Sequence, residues 1–420
     1  MTELVEHITL EHAVEHHEHF KLERCSTKKF LIWLSFWALL LALGVLGAFL
    51  CLWKGLNQTG MNNYFVFGLW ICVDLAIIAL GAGAFFSGFL FYILKLDFLK
   101  DLIGAAVVIG FICYSGAVGM LTIDIGQPLR GYFSFMHANV HSMLTEVIFC
   151  ITCYLFVLTI EFVPLITENR TLSRLPLFKY LGENLHGIMA VFALVGAFLS
   201  FFHQGSLGGM FGVLYARPFS YRTGIGIWPW TFFLFILSAV ASGPALTTLV
   251  VWLTQKVTGR KLVPRSTLSR LAKLSATLFA VYLVLKAADT IYWANVTVPA
   301  SGFRFTKFYE GPYGMEILFL ELFVFGLVPA VLLLIPRARD YDISLVFGCL
   351  FICLGVVLNR FVMTIQTLSI PVLPFERFMT YYPTWQEWTV ALAVFGYGGI
   401  VYSLSYRYLH LFPREHELNN

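Results

Sequence analysis

The sequence is poor in charged residues. It has 28 lysines and arginines and 24 aspartates and glutamates among 420 residues, so only 12% of its side chains carry a formal charge. Soluble domains carry about 25%. So few charges cannot cover a soluble surface, and the composition therefore excludes a soluble protein, a disordered tail and a nucleic-acid-binding protein. The net charge of +4 is too small to indicate a particular partner.

The sequence also lacks the common motifs for redox cofactors and phosphates. No CxxCH is present, and the cysteine pairs Cys150/Cys153 and Cys349/Cys353 fall inside apolar runs, where buried thiols are expected. The glycine-rich stretch 205–212 is not followed by lysine, so it does not match a Walker phosphate loop. We therefore expect this chain to hold no haem and no iron–sulfur cluster of its own.

Long apolar runs are abundant. Hydrophobic residues make up 59% of the chain, and the mean hydropathy is +0.78. About 20 apolar residues are enough to cross the hydrocarbon of a bilayer, where a helix satisfies its own backbone hydrogen bonds. The expected fold class is all-α, a polytopic integral membrane protein with ten transmembrane helices. The predicted spans are Phe30 to Trp53, Phe65 to Leu94, Leu102 to Ile123, Met143 to Ile166, Leu185 to Phe202, Pro229 to Leu253, Leu271 to Ala288, Met315 to Ile335, Ile343 to Met363 and Glu387 to Tyr408.

The distribution of lysine and arginine predicts the orientation. The segments on the side of the two termini hold 17 of these residues, whereas the alternate loops hold 7. Positive residues are retained on the cytoplasmic side. We therefore expect residues 1–29 to form a cytoplasmic segment rich in histidine and glutamate, without a cleavable signal, residues 30–410 to form the transmembrane domain, and residues 411–420 to form a cytoplasmic tail. The long loops 124–142, 203–228 and 289–314 are predicted to face outward.

Ionisable residues within or beside apolar spans are costly and therefore indicate function. Six of them are predicted to lie near the outer face, while Asp74 and Glu321 lie deeper; the six are Asp124, His141, Glu146, His203, Asp289 and Glu316. A quinone ring needs a polar donor at each carbonyl and a route for protons within an apolar cleft, and this mixture of groups fits that need. A structural alternative stays open, in which Asp124 pairs with Arg130 to tie a turn.

Other polar residues are interpreted as structural. Lys286 and Asp289 are three residues apart on one predicted helix and are expected to pair. Arg360, at the end of a span, is expected to extend its head group to the membrane interface. The glycines after His203 either let the backbone approach a ligand or a partner subunit, or belong to a capped helix end.

Several short motifs, taken in order, resemble one family. They are DIGQP at 124–128, NVHSMLTE at 139–146, Glu161 with Pro164, FHQGSLG at 202–208, NRFVMTIQ at 359–366 and YYPTWQEW at 381–388. This combination resembles the NrfD-like family, the membrane subunits of polysulfide reductases. Within it, the sequence is most similar to the ten-helix branch of the Hmc, Dsr and Qrc complexes, and the Qrc quinone reductase type is favoured.

The resemblance implies a subunit of a respiratory complex in the bacterial inner membrane, which is not catalytic alone. It would bind menaquinone near the periplasmic face through Asp124, His141, Glu146 and His203, with Asp74 and Glu321 in proton transfer. It further implies a periplasmic, ferredoxin-like iron–sulfur partner, linked to molybdopterin-family or multihaem cytochrome c subunits.

Two other functions remain open from the residues alone. A proton-coupled secondary transporter would use Asp74 and Glu321 as coupling sites. A b-type cytochrome with a single haem would need a pair of histidines on facing helices.

Overall fold

The computed structural model describes residues 25–167, 176–225, 227–373 and 376–413, together with Glu415 and Leu418. Within these residues, ten helices are long and apolar enough to cross a membrane, which confirms the predicted fold class. The histidine- and glutamate-rich stretch 6–19 lies outside the described residues. The spans are α1 Thr27–Lys54, α2 Leu69–Tyr92, α3 Asp97–Asp124, α4 Met143–Thr167, α5 Pro176–Gly212, α6 Trp230–Thr258, α7 Arg265–Ala300, α8 Glu316–Leu334, α9 Asp342–Gln366 and α10 Trp385–Tyr408.

Both described chain ends lie at the same end of the helix bundle. Arg407, near the end of α10, donates hydrogen bonds to the carbonyl and the sulfur of Cys25, which precedes α1. We call this end the termini rim. The opposite end is the loop rim, formed by the residues that the structure describes within 55–68, 125–142, 213–229, 301–315 and 367–384. It includes a two-stranded antiparallel ribbon, β1 Gly224–Ile225 and β2 Trp228–Pro229.

The helices form two groups of four. Helices α2 to α5 pack on one another as the N-terminal half, and α6 to α9 pack as the C-terminal half. One hydrophobic core runs through both halves, because α6 also packs against α2 and α5. Helices α1 and α10 form a separate pair at the side, where Gly44 and Gly47 let α1 approach the α10 backbone closely.

Helix α5 is longer than the sequence predicted. It continues ten residues past Phe202 and ends at Gly212, so His203 lies inside a helix and not at the start of a loop. The glycines after His203 serve contact between helices. Gly205 and Gly208 pack against Phe232 and the Thr231 carbonyl of α6, and Gly212 packs against Thr231 and Pro229.

The two halves meet at a contact without side chains. Helix α2 is broken at Ala82 into the segments Leu69–Gly81 and Gly83–Tyr92, and Gly83 lies directly against Gly243 of α6. Pro244 follows Gly243 within α6 and removes one backbone donor there. Because backbone meets backbone, neither glycine has space for a methyl group.

We expect Gly243→Ala to lower the stability of the protein by about 1–3 kcal/mol, because the new methyl group overlaps the Gly83 backbone. Thermal unfolding of the purified protein in detergent measures this. The matched control is Gly119→Ala on α3, where an added methyl group meets no atom within 4 Å. Equal unfolding temperatures for the two variants would contradict the proposed close contact.

Candidate functional site

His203 is the centre of a polar cluster inside the N-terminal half. It is fully buried, and neither ring nitrogen has a hydrogen bond of normal geometry. It lies nine residues before the end of α5 at Gly212, about 14 Å along the helix axis. The side chain lies against the backbone of Val147 in α4, and the next residue, Gln204, is also buried. A buried imidazole without a hydrogen-bond partner destabilises the fold, unless a ligand or a water molecule supplies the missing hydrogen bond.

Two tyrosines of the neighbouring helices extend the cluster around His203. The Tyr114 ring of α3 has its centroid 6.0 Å from that of His203. Its hydroxyl shares a hydrogen bond of 3.4 Å with Ser200 Oγ. Tyr154 of α4 packs edge-on against Tyr114, with centroids 4.4 Å apart. The sequence reasoning missed these residues because tyrosine counts as apolar in a hydropathy profile.

Two predicted carboxylates extend this cluster toward the loop rim. Asp74 of α2 is buried, and α2 packs against α3, which carries Tyr114 and Asp124. Asp124 is the last residue of α3 and is half-buried. Each of the two has one carboxylate oxygen that is buried without a hydrogen bond. No ion pair joins Asp124 to Arg130 in the described structure, so the structural alternative for Asp124 is wrong.

His141 and Glu146 lie closer to the surface. His141 is exposed on the segment between α3 and α4, and its backbone N–H donates to Asn139 Oδ1 over 3.0 Å. Glu146 is half-buried in the first turn of α4, directly before the Val147 that contacts His203. The structure therefore gathers Asp74, Asp124 and His203 with Tyr114, places Glu146 beside them and leaves His141 outside.

The C-terminal motif at 381–388 fastens the loop rim above this cluster. The fully buried Glu387 accepts hydrogen bonds from the N–H groups of Gly60, at 2.7 Å, and Thr384, at 2.9 Å, and from the Tyr381 hydroxyl. Burial, followed by the bond to the Glu387 carboxylate, raises the pKa of Tyr381, so this hydroxyl stays a neutral donor. The motif therefore ties the first loop to the start of α10.

A second polar cluster, the ion network, lies in the C-terminal half. Lys286 Nζ of α7 is 3.5 Å from Glu321 Oε1 of α8. The same oxygen accepts a 2.8 Å hydrogen bond from Asn359 Nδ2 of α9. Asn359 Oδ1 in turn accepts from Arg360 at 2.7 Å, and Arg360 also donates to Ser238 at 2.9 Å. The side-chain amide of Asn359 thus connects the Arg360 guanidinium to the Glu321 carboxylate.

The network corrects two expectations. Asp289 pairs with Arg222, at 2.8 Å, while Lys286 pairs with Glu321, so Lys286 and Asp289 do not pair with each other. Arg360 does not reach the interface. It is fully buried, and its guanidinium lies 3.6 Å from the centroid of the Phe235 ring. The apolar runs gave no signal of these partners, because Arg222, Glu321 and Ser238 are distant in sequence from the residues that they contact.

Asp74 and Glu321 belong to different halves. Asp74 is on α2, which packs against the α3 helix that carries Tyr114 and Asp124, whereas the partners of Glu321 come from α7 and α9. The described structure shows no hydrogen bond or ion pair between the two carboxylates. They were predicted together for proton transfer, and the structure gives them separate surroundings.

We expect Arg222→Met to destabilise the protein by about 3–5 kcal/mol, because it leaves the buried Asp289 carboxylate without its cation. The double variant Arg222→Met/Asp289→Asn removes both charges and should regain most of that loss. Thermal unfolding in detergent compares the three proteins. If Arg222→Met were as stable as the original chain, the Arg222–Asp289 ion pair would not contribute to the stability of the protein.

Comparison with known proteins assigns this chain to a family. The family model described as "Polysulphide reductase, NrfD" matches residues 57–371. The menaquinone reductase integral membrane subunit of Nitratidesulfovibrio vulgaris is 53% identical over 399 residues, which is 94% of this chain and 95% of that protein. The probable Ni/Fe-hydrogenase 2 b-type cytochrome subunit of Escherichia coli is 25% identical over 367 residues, 85% of this chain and 86% of that protein.

A further relative is a selenate reductase subunit of Mesobacillus selenatarsenatis, which is 22% identical over 416 residues, 90% of this chain and 93% of that protein. The matched region includes Asp74, Asp124, His203 and Glu321 and covers more than half of the chain. The chain therefore belongs to the NrfD family of polysulphide reductase membrane proteins.

Proposed function

We propose that this chain is the quinone-binding membrane subunit of a respiratory oxidoreductase complex, and that its substrate is menaquinone. The observation that carries the proposal is the set of unpaired polar atoms on His203, Asp74 and Asp124 inside an apolar bundle. The 53% identical relative named as a menaquinone reductase subunit supports the same substrate. Menaquinone, when bound, supplies the chemistry of taking up or releasing two electrons and two protons.

The residues of the N-terminal half are suited to bind a quinone ring. His203 and Gln204 offer donors for a carbonyl oxygen in a place that water reaches poorly. The aromatic rings of Tyr114 and Tyr154 form an apolar wall with a hydroxyl edge. Glu146 and His141 continue the polar surface toward the loop rim, so we assign them to the mouth of the site.

Asp74 and Asp124 are suited to move protons at this site. Both carboxylates have a free oxygen, and their charges interact, so a proton on one lowers the repulsion felt by the other. Asp124 ends α3 at the loop rim, and Asp74 lies five residues, about 7.5 Å, inside α2. The pair thus forms a short path from the rim toward Tyr114.

Electrons would come from, or go to, a partner that docks on the loop rim. The segment 125–142 exposes large apolar side chains outside the spanning helices, with Leu129 at 90% exposure, Val140 at 86% and Met136 at 73%. Exposed apolar patches of this kind mark protein interfaces. The patch joins the helix ends of Asp124 and Met143, so a ferredoxin-like iron–sulfur subunit bound there would lie beside the quinone site. That subunit would connect to molybdopterin-family or multihaem cytochrome c subunits.

The lysine and arginine distribution supports an orientation with the termini rim in the cytoplasm and the loop rim on the opposite side of the membrane. The bacterial relatives support the inner membrane of a bacterium, in which the opposite side is the periplasm. The transporter alternative is supported less well. It calls for matching sites at the middle of the bilayer in both halves. Here the unpaired oxygens of Asp74 and Asp124 and the unpaired ring nitrogens of His203 all belong to the N-terminal half.

We expect His203→Ala and Asp124→Asn each to lower the rate of quinone reduction by about 100-fold, because each removes a donor or proton acceptor at the ring. The assay uses the purified complex, its electron donor and a soluble menaquinone analogue, with the haem and iron–sulfur content of the partners measured alongside. His410→Ala at the termini rim is the control and should keep the full rate. Full activity in both site variants, with intact partners, would refute the assignment.

We expect the double variant Leu129→Glu/Val140→Glu to lose its partner subunits during purification, because binding a partner at the apolar patch would then remove the new carboxylates from water. The amount of iron–sulfur protein that copurifies with the tagged chain measures this. Phe303→Glu places a single carboxylate on another exposed apolar residue of the loop rim and should retain the partner. If the partner is lost from neither protein, the docking surface lies elsewhere.

A further inference from the structure

Three exposed cations lie at the termini rim of the C-terminal half. Arg270 and Lys273 are on the outer face of α7 near its start, and Arg337 is in the short helix Pro336–Arg339 that follows α8. Within the described residues, none of the three has a hydrogen bond or an ion pair with another protein group. We call these three residues the basic patch. The proposed quinone site does not use them.

The buried Arg339 holds the two segments of the basic patch together. Its Nη1 donates to the carbonyls of Leu333, at 2.6 Å, and Leu334, at 3.1 Å, in the last turn of α8. Its Nε donates to Ser269 Oγ of α7 over 3.4 Å, and its own carbonyl accepts from Arg265 at 2.8 Å. Ser269 directly precedes one residue of the basic patch, and Arg339 follows another by two positions. The start of α7 and the end of α8 are therefore tied to the same corner of the bundle.

The outer face of α8 indicates the level of the basic patch in the membrane. Between the exposed Glu316 and the exposed Arg337, every exposed residue is apolar. These two charged residues are about 30 Å apart along the helix axis. The hydrocarbon of a bilayer is also about 30 Å thick. With Glu316 at the loop rim, Arg337 therefore lies at the level of the phospholipid headgroups on the termini side.

The outer face of α7 leads to the same level. Lys273 is one helical turn closer to the middle of the membrane than Ser269, and a lysine in this position extends its stem back to the headgroups. From Lys273 to the loop rim the exposed residues of α7 are uncharged, and among them Val281 is 48% exposed and Val284 is 68% exposed. Because α7 packs against α8, the two apolar faces lie side by side directly next to the basic patch.

The carboxylates of this corner do not neutralise the basic patch. Asp342, at the start of α9, lies 2.8 Å from Lys256 Nζ and 3.0 Å from Arg265 Nη1, so it already pairs with two other cations. Asp340 is exposed and has no ion pair within the described residues. One free carboxylate therefore accompanies three free cations, and the corner keeps a positive charge.

We propose that the basic patch binds the phosphate of an anionic phospholipid, whose acyl chains lie on the exposed apolar faces of α7 and α8. Basic pockets between spanning helices on the cytoplasmic side bind such headgroups, and guanidinium groups can bind a phosphate through two hydrogen bonds at once. A soluble phosphate would use the cations alone. A phospholipid also uses the apolar surface that begins beside them, and the structure offers both.

The test is native mass spectrometry of the purified full chain in detergent, titrated with phosphatidylglycerol or with phosphatidylcholine. We expect Arg270→Gln/Lys273→Gln/Arg337→Gln to bind phosphatidylglycerol about 100-fold more weakly than the original chain, since each cation beside an anionic headgroup contributes about fivefold. The affinity for phosphatidylcholine, which has no net charge, should be the same in both proteins. Equal affinity of the variant and the original chain for phosphatidylglycerol would overturn the proposal.

A matched control removes the same charge elsewhere. Lys28→Gln/Lys29→Gln/Lys100→Gln replaces three exposed cations of the same rim and leaves the basic patch intact, so it should bind phosphatidylglycerol as the original chain does. If the two triple variants lost the same affinity, binding would follow net charge and the proposal would be wrong.

A further arm separates a lipid from a soluble phosphate. Glycerol 3-phosphate has the phosphate ester without acyl chains, so it should not displace phosphatidylglycerol at equal concentration. Displacement would show that the basic patch takes a soluble phosphate ester, and it would overturn the assignment to a lipid.

Arg337→Gln alone covers the case in which the triple variant does not fold, because Arg337 is an exposed residue outside the spanning helices. It should lower the affinity for phosphatidylglycerol about fivefold and leave the unfolding temperature without added lipid unchanged. An unchanged affinity in this variant would also overturn the proposal. None of these measurements needs a quinone, so their outcome is independent of whether the chain binds menaquinone.

Discussion

A polar side chain inside this bundle has to find its partner within the protein, because hydrocarbon offers none. The two halves meet this constraint differently. In the C-terminal half, Lys286, Glu321, Asn359 and Arg360 pair with one another across three helices. In the N-terminal half, His203 has no such partner. The charged groups of one half therefore supply partners to one another, whereas the buried histidine of the other half is left for a ligand or water to complete.

Close backbone packing keeps this contrast in place. Gly83 and Gly243 bring α2 against α6, and the glycines after His203 bring α5 against α6. Helix α6 is therefore the element shared by both halves, and it also supplies Ser238 and Phe235 to the ion network. Small residues at these crossings permit van der Waals contact that larger side chains would prevent. The polar groups on either side of α6 are consequently separated by a tightly packed wall.

The sequence predicted the number of spans and most of their ends, since apolar runs of about 20 residues have few other structures available. It predicted the location of His203 poorly, because a glycine-rich stretch suggests a loop wherever the neighbouring helix is unknown. Asp74, Asp124 and Glu321 stood out because charge is rare in such spans. Their partners did not, because Tyr114, Asn359 and Ser238 are ordinary residues whose roles depend on contacts between helices distant in sequence.

The shared position of the two described chain ends has a practical consequence. The bonds from Arg407 to Cys25 place both ends at the termini rim, on the far side of the bundle from Leu129 and Val140. A purification tag or a fluorescent fusion attached to either end would therefore lie across the membrane from the loop rim. Such a tag would allow the whole complex to be purified from the membrane without blocking the loop rim, where the other subunits would bind.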